Sequence, residues 1–409
     1  MNRGRAARGR RAPQHVRRIL LLVLCTVMML GVSACVPGQT HVVYERGVNV
    51  YTLEMNRHSD LPVSDWGEPQ ASYDYLASRG VRIVRLAFSW GMLQPPVENK
   101  KGKIEFKSSL SAPVDVDAMA VLREQVHRIE NADMRPVIDL HNGCSYPEGP
   151  GAKPAESVFC GDGLSVDQQV GIWLTLSDEF RNDDEIYAYD LFNEPRTSNM
   201  TFTTYKKYSQ AVVDALRENG DPHAFWLNAM VGDWTFADNV KDGPWVTSRD
   251  GTVDLSIVYS QHFYPGSTAQ GNRAYNPSQT YKTFLGAISR FGRWCEKWEV
   301  HCSIGELGWP GSTSQAKYKG SYGGEWDALG ELAYLRADEY ELDVTYFAAM
   351  GTDSGYLFAY DSSKPTLPAR RGIDSARSQA AVIEKHLSYL TGVTRPSPTR
   401  TQQLVDPAR

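Results

Sequence analysis

Short runs of β-branched and aromatic residues alternate along this chain with longer stretches whose apolar positions recur at helical spacing. The short runs predict strands at Arg46–Tyr51, Val81–Ser89, Pro136–His141, Ile186–Asn193, Ala224–Ala229, Leu255–His262, Cys302–Glu306 and Val344–Ala349. The longer ones predict helices at Pro69–Ser78, Asp115–Ala132, Val166–Phe180, Tyr205–Glu218, Ser278–Lys297, Trp326–Glu339 and Asp374–Leu390. In the second of these, Val116, Met119, Leu122, Val126 and Ile129 form a stripe suited to covering a sheet. Strand and helix units in alternation imply a parallel sheet, and this number of them closes most simply into a (β/α)8 TIM barrel. An open doubly wound sheet is the alternative. It would want a glycine-rich phosphate turn after an early strand, and no G-x-G-x-x-G or Walker spacing occurs. No solenoid repeat is present either.

Two loops stand out by length, Gly91–Pro113 after the second strand and Gly143–Ser165 after the third. The second holds Cys144 and Cys160 among Gly and Pro and is expected to wall a cleft.

The N-terminus follows another pattern. Met1 to Arg18 carry seven arginines and no acid, ahead of an apolar run, Ile19–Val32, that is short for a membrane span. This reads as an export signal over residues 1–34. Val32-Ser33-Ala34-Cys35 looks like a bacterial lipobox, which would leave a lipid on Cys35 and attach the protein to a membrane. Ordinary cleavage after the small residues is the competing reading, and Arg17-Arg18 also permits twin-arginine export. The catalytic domain is expected over residues 40–392 and a poorly ordered tail over 393–409. Losing the seven arginines leaves 36 of the 43 Lys and Arg against 48 Asp and Glu, so the formal net charge moves from -5 to -12. That argues against a nucleic-acid partner and for an uncharged substrate.

Of six cysteines, Cys25 lies in the apolar run and Cys35 at the cleavage point, leaving Cys144, Cys160, Cys295 and Cys302 in the body. Four cysteines allow three connectivities. The sequence-local one, Cys144 with Cys160 and Cys295 with Cys302, suits an oxidising compartment, and four buried thiols are the other possibility. No Cys-x-x-Cys or His-Glu-x-x-His spacing suggests a metal, and nothing calls for a cofactor.

Chemistry gathers at the predicted strand ends, which share one rim in a barrel of this kind. In chain order they carry Arg85, His141 with Asn142, Asn193 with Glu194, His262 with Tyr264, and Glu306. Two glutamates facing one pocket are the minimum equipment for cleaving a glycosidic bond. Trp234, Trp245, Trp309 and Trp326 fall in loops or at helix starts, where indoles can stack on sugar rings. Trp309, three residues beyond Glu306, is the foremost of them.

Five segments, Val84-Arg85-Leu86, Asp139-Leu140-His141-Asn142, Leu191-Phe192-Asn193-Glu194-Pro195, His262-Phe263-Tyr264 and Ile304-Gly305-Glu306-Leu307-Gly308, resemble the motifs of glycoside hydrolase family 5, the cellulase-like family, in the family's order. The resemblance spans about Arg46 to Met350. It implies a retaining mechanism with Glu194 as acid/base and Glu306 as nucleophile, Asn193 on the sugar 2-hydroxyl, His141 and His262 as orienting groups, and Tyr264 donating to Glu306. Arg85 would favour an ionised Glu306, while Glu194 would need a raised pKa. One departure concerns the eighth strand, where the family usually carries a tryptophan floor. Here the segment is Val344-Thr345-Tyr346-Phe347-Ala348-Ala349-Met350, leaving Phe347 or Trp309 to take that place.

The expected activity is hydrolysis of β-linked oligo- or polysaccharide by a monomer, foremost a β-1,4-glucan endoglucanase. A mannanase, an exo-β-glucosidase or a glycolipid glycosidase would use the same rim. From another class, a catalytically silent surface carbohydrate-binding lipoprotein would not need both an acid and a nucleophile.

Overall fold

The computed structural model describes residues 42–148, 156–231, 240–265, 281–309, 323–350 and 378–390. The predicted export signal, Cys35 and the tail over 393–409 lie outside them. Eight strands form a closed barrel: β1 (Arg46–Val50), β2 (Ile83–Phe88), β3 (Arg135–Leu140), β4 (Ala188–Asp190), β5 (Ala224–Asn228), β6 (Ile257–Phe263), β7 (Cys302–Leu307) and β8 (Asp343–Met350). They pair in sequence order, with β8 returning to β1, and every pairing is parallel. Closure removes the sheet edges that the open alternative would leave. The barrel lies within one compact unit, Val43–Tyr389.

Helices cover the barrel at α1 (Gln70–Ser78), α2 (Val116–Glu130), α3 (Val166–Phe180), α4 (Phe202–Glu218), α5 (Gly286–Trp298), α6 (Gly323–Glu339) and α7 (Ser378–Ile383). Their starts follow from capping. Asp115 accepts from the backbone of Asp117 and Ala118, and Ser165 with Gln168 forms a capping box. The buried stripe of α2 is Ala118, Met119, Leu122, Gln125, Val126 and Ile129, whereas Val116 at the first turn is 79% exposed. Gln125 stitches α2 to α1, its Oε1 accepting from Glu68 N and Tyr73 Oη at 2.8 Å each.

Two expected elements differ. The fourth strand stops at Asp190 rather than Asn193, because the chain turns out of the sheet to reach the rim. The predicted Asp374–Leu390 helix is, among the described residues, helical only over Ser378–Ile383, and Tyr389–Leu390 is extended. Both sequence-local disulfides are formed, Cys144–Cys160 with a Cα separation of 5.5 Å and Cys295–Cys302 with 6.2 Å. The first pins the loop that follows β3. Among the described residues no helix is long and apolar enough to cross a membrane.

At the N-terminal end of the barrel, Asp343 joins three neighbours. It accepts from Glu45 N at 2.8 Å, Tyr187 Oη at 2.8 Å and His301 Nε2 at 2.9 Å. The Asp343 charge raises the His301 pKa despite desolvation. A raised folded-state pKa stabilises below the unfolded value, about 6.5, and the contribution is lost as pH rises through the folded value. His301→Asn is therefore expected to lower the thermal midpoint more at pH 5.5 than at pH 8.5 (~3 units apart, spanning the transition). Equal losses at both pH values would remove the ion pair from the account.

Candidate active site

Alternation along parallel strands puts every second side chain into the barrel. One buried cluster there is Ile83, Val137, Ala188, Trp226 and Val258. Two residues further along the same strands stand Arg85, Asp139, Asp190, Asn228 and Ser260, all buried. The barrel thus changes from apolar to polar in one step towards its C-terminal end, and the polar layer carries the rim above it.

Arg85 organises that layer. Its Nε donates to Asp190 Oδ2 at 2.8 Å, Nη1 to Asn49 Oδ1 at 2.8 Å and Glu306 Oε1 at 3.0 Å, and Nη2 to Asn193 Oδ1 at 2.7 Å. Nη2 also lies 3.1 Å from Asp139 Oδ2. A buried cation surrounded by three carboxylates offsets much of the cost of desolvating them. Burial raises the Asp190 pKa, with Arg85 opposing and Asp139 reinforcing the shift. Because Arg85 can only donate, the Asn193 carbonyl must face it, which turns the Asn193 amide towards His141 Nε2 at 3.1 Å. His141 Nδ1 faces Asp139 Oδ2 at 2.7 Å. Burial disfavours a charge on His141, and Asp139 raises its pKa nonetheless.

The two glutamates meet at His262. Its Nδ1 lies 3.1 Å from Glu194 Oε1 and 3.4 Å from Glu306 Oε2, and one oxygen of each glutamate lies within 4.8 Å of the other. Tyr264 Oη donates to Glu306 Oε2 at 2.5 Å, so Glu306 receives Arg85 on one oxygen and Tyr264 on the other. Glu194 is held by a left-handed backbone, φ 46°, an uncommon state for a residue with a side chain. Its Oε2 lies 3.4 Å from Arg196 Nη2. Burial raises the Glu194 pKa, but the His262 N–H and the positive charges of His262, Arg196 and His141 outweigh it and hold the carboxyl well below its usual range. The expected upward shift is therefore reversed, since these donors surround the carboxylate.

The glycine before Glu306 has a steric reason. A Cβ at Gly305 would stand 2.7 Å from Ser260 Oγ and 3.1 Å from His262 Nε2, so a side chain there would displace Ser260 and press on the ring.

Three predicted binding residues sit elsewhere than the cleft surface. Trp309 is fully buried, its Nε1 bonded to Asp327 Oδ1 at 3.0 Å and its ring against Tyr334 and Tyr346. It fills the gap between β8 and α6 and offers no face to a sugar. Asn142 is spent on backbone: Oδ1 accepts from Trp90 N at 2.5 Å, and Nδ2 donates to Ser145 O and Pro147 O. Arg85, fully buried, reaches a ligand only through Glu306 and Asn193. Trp245 and Trp326 are also buried, packed where helices and loops meet the barrel, and Trp234 lies outside the described residues. At the end of β8, the Phe347 ring meets Tyr51 edge-on at 5.6 Å, and Tyr51 meets His141 at 5.0 Å. Phe347–Ala348 is a cis peptide.

Asn49, Asp139, Asp190, Tyr51 and Arg196 belong to the site without having been assigned a part from the sequence. Asp139 and Asp190 had a signal, a carboxylate inside an otherwise apolar strand run. Among the described residues, two triads have the spacing to hold a cation, Glu194–His262–Glu306 and Glu54–His58–Glu148. In the first, Arg85 and Arg196 already lie on the carboxylates. In the second, Arg57 pairs with Glu54 at 2.9 Å and Glu148 at 2.5 Å. A dication in either would face a guanidinium at close range.

The family model described as Cellulase (glycosyl hydrolase family 5) matches residues 43–350. Among solved structures, a triple mutant of an endo-beta-1,4-glucanase from Xanthomonas axonopodis pv. citri is similar with a TM-score of 0.63 at 17% identity, covering 84% of this chain and 98% of that one. Endoglucanase Cel5A of Pseudomonas stutzeri is similar at 0.63 and 18%, covering 87% and 97%, and Cel5A (EG2) of Hypocrea jecorina at 0.61 and 15%, covering 85% and 98%. At these identities the structural likeness establishes the barrel, and the family match establishes membership. This chain belongs to the cellulase family, glycosyl hydrolase family 5, and is a glycoside hydrolase.

Proposed function

We propose that the chain is a retaining β-glycosidase acting as an endo-β-1,4-glucanase, with Glu306 as nucleophile and Glu194 as acid/base. The carrying observation is that oxygens of Glu194 and Glu306 approach within 4.8 Å. Retaining enzymes hold their carboxyls about 5–5.5 Å apart, whereas inverting ones leave about 6.5–9.5 Å for a water.

The surroundings support a division of labour. Glu306 receives Arg85 on one oxygen and Tyr264 on the other and so is oriented for attack on the anomeric carbon. The bond to the leaving oxygen breaks as Glu194 protonates it. Water then attacks the glycosyl-enzyme, giving its proton to Glu194, and the sugar leaves Glu306. Asn193, turned by Arg85, suits the 2-hydroxyl, and Phe347 with Tyr51 suits the sugar floor. His141 and His262 orient these groups, and Arg85 acts as a positioning residue.

The glucan assignment draws on the family and on its structural neighbours, one of which was solved in complex with cellopentaose. Export, with a lipid on Cys35, remains our reading of the N-terminal sequence; two disulfides support an oxidising destination.

A hydrolysis screen over cello-oligosaccharides, mixed-linkage glucan, laminarin, mannan and glycolipid, with products followed by length, tests linkage and mode. Mid-chain cleavage of β-1,4-glucan is expected, and activity confined to mannan or glycolipid would refute it. Glu306→Gln should lower activity by on the order of 10³-fold or more with folding intact. An unchanged rate on an aryl β-glycoside would sink the enzymatic assignment. Arg85→Lys keeps one charge but cannot span the partners of the guanidinium, so it should cost about 2 kcal/mol or more in urea unfolding and lower kcat.

A further inference from the structure

Both oxygens of Glu194 have a partner within the protein. Oε1 faces His262 Nδ1 at 3.1 Å and Oε2 faces Arg196 Nη2 at 3.4 Å. The two sides differ in exposure. The His262 side chain is 5% exposed, while that of Arg196 is 40% exposed and Glu194 itself 20%. Oε2 thus lies on the flank of Glu194 whose partner is the more exposed of the two. A guanidinium has donors only, so it opposes a proton on the atom from which the glycosidic oxygen must be protonated. Resting and reactive states compete for that oxygen.

We propose that Arg196 is a positioning residue that holds Glu194 through Oε2 before substrate binds and is drawn off it by hydroxyl groups of the sugar on the leaving-group side. The proposal rests on Glu194 being the acid/base. The backbone around Arg196 is anchored, since Val231 N donates to Pro195 O at 2.8 Å and Thr197 N to Val231 O at 3.2 Å. A change of partner is thereby confined to the side chain. The ionisable groups facing Glu194 are His262 from β6, Glu306 from β7, His141 from the end of β3, and Arg196 from its own loop. Of the three basic side chains in that set, Arg196 is the one with substantial exposed surface, whereas His141 and His262 are buried. Sugar hydroxyls supply acceptors for the guanidinium, and a carboxyl released from its cation binds a proton more readily. Substrate arrival would thus arm the acid.

The test compares Arg196→Gln, Arg196→Lys and wild type on cellotetraose and on dinitrophenyl β-cellobioside, whose leaving group brings no sugar hydroxyls and needs little protonation. For Arg196→Gln, the alkaline limb of kcat/KM on cellotetraose is expected to move up by about 0.5–1 pH unit. Its kcat/KM on cellotetraose should fall roughly tenfold, as expected for one lost charge-assisted contact, with a much smaller fall on the aryl substrate. Arg196→Lys, which keeps the charge, should hold the limb near its wild-type place. An unmoved limb in Arg196→Gln, or equal losses on both substrates, overturns the proposal. Glu194→Gln separates the two readings. If it is impaired more on cellotetraose than on the aryl substrate while Arg196→Gln is not, the acid assignment stands and only the role of Arg196 fails. Equal impairment of Glu194→Gln on both substrates would remove the acid assignment, and this proposal with it.

Discussion

The site depends on one buried guanidinium. Arg85 has no contact with solvent, yet five side chains from four strands and the segment after one of them take their orientation from it: Asn49, Asp139, Asp190, Asn193 and Glu306. Removing three carboxylates from water is costly, and a cation in their midst is what makes the polar layer tolerable above an apolar barrel floor. The forked geometry matters as much as the charge, because the three nitrogens between them reach four strands. In a barrel, strands distant in sequence converge on one axis, so a single residue can hold them all.

The same convergence gives two chemically identical glutamates different surroundings. Glu306 is fixed by Arg85 and Tyr264, groups with little freedom to leave. Glu194 sits on a strained turn between buried His262 and half-exposed Arg196. In the proposed mechanism the first carboxylate must hold its position while it forms and releases a bond to the sugar, and the second must give up a proton and take one back. A rigid shell suits the former and an adjustable one the latter. His262, lying between both, couples them, and Gly305 leaves the space that its ring requires.

Much of this was legible beforehand. The strand ends carrying Glu194, Glu306, Arg85, Asn193, His262 and Tyr264 do meet, because motif spacing and barrel topology together decide what shares a rim. Trp309 shows where such reading fails. Its nearness to Glu306 in sequence suggested a sugar platform, but one step past a strand end the chain has turned, and the indole fills the gap under α6. Asn142 fails for a related reason, since a polar side chain beside a tight turn is captured by unpaired backbone groups. Arg196 was missed because nothing in its local sequence says which way a loop arginine points.

The sequence by itself determined the barrel, the two glutamates, and the local cysteine pairing as one of three options. These follow from periodicity, residue type and spacing, which are properties of the chain before it folds. The tertiary structure decided the distance between the glutamates, the burial of Arg85 and Trp309, and the downward pull on the Glu194 pKa. Each depends on a separation between residues far apart in sequence. Electrostatic interaction and desolvation vary steeply with that separation, and no local pattern encodes it.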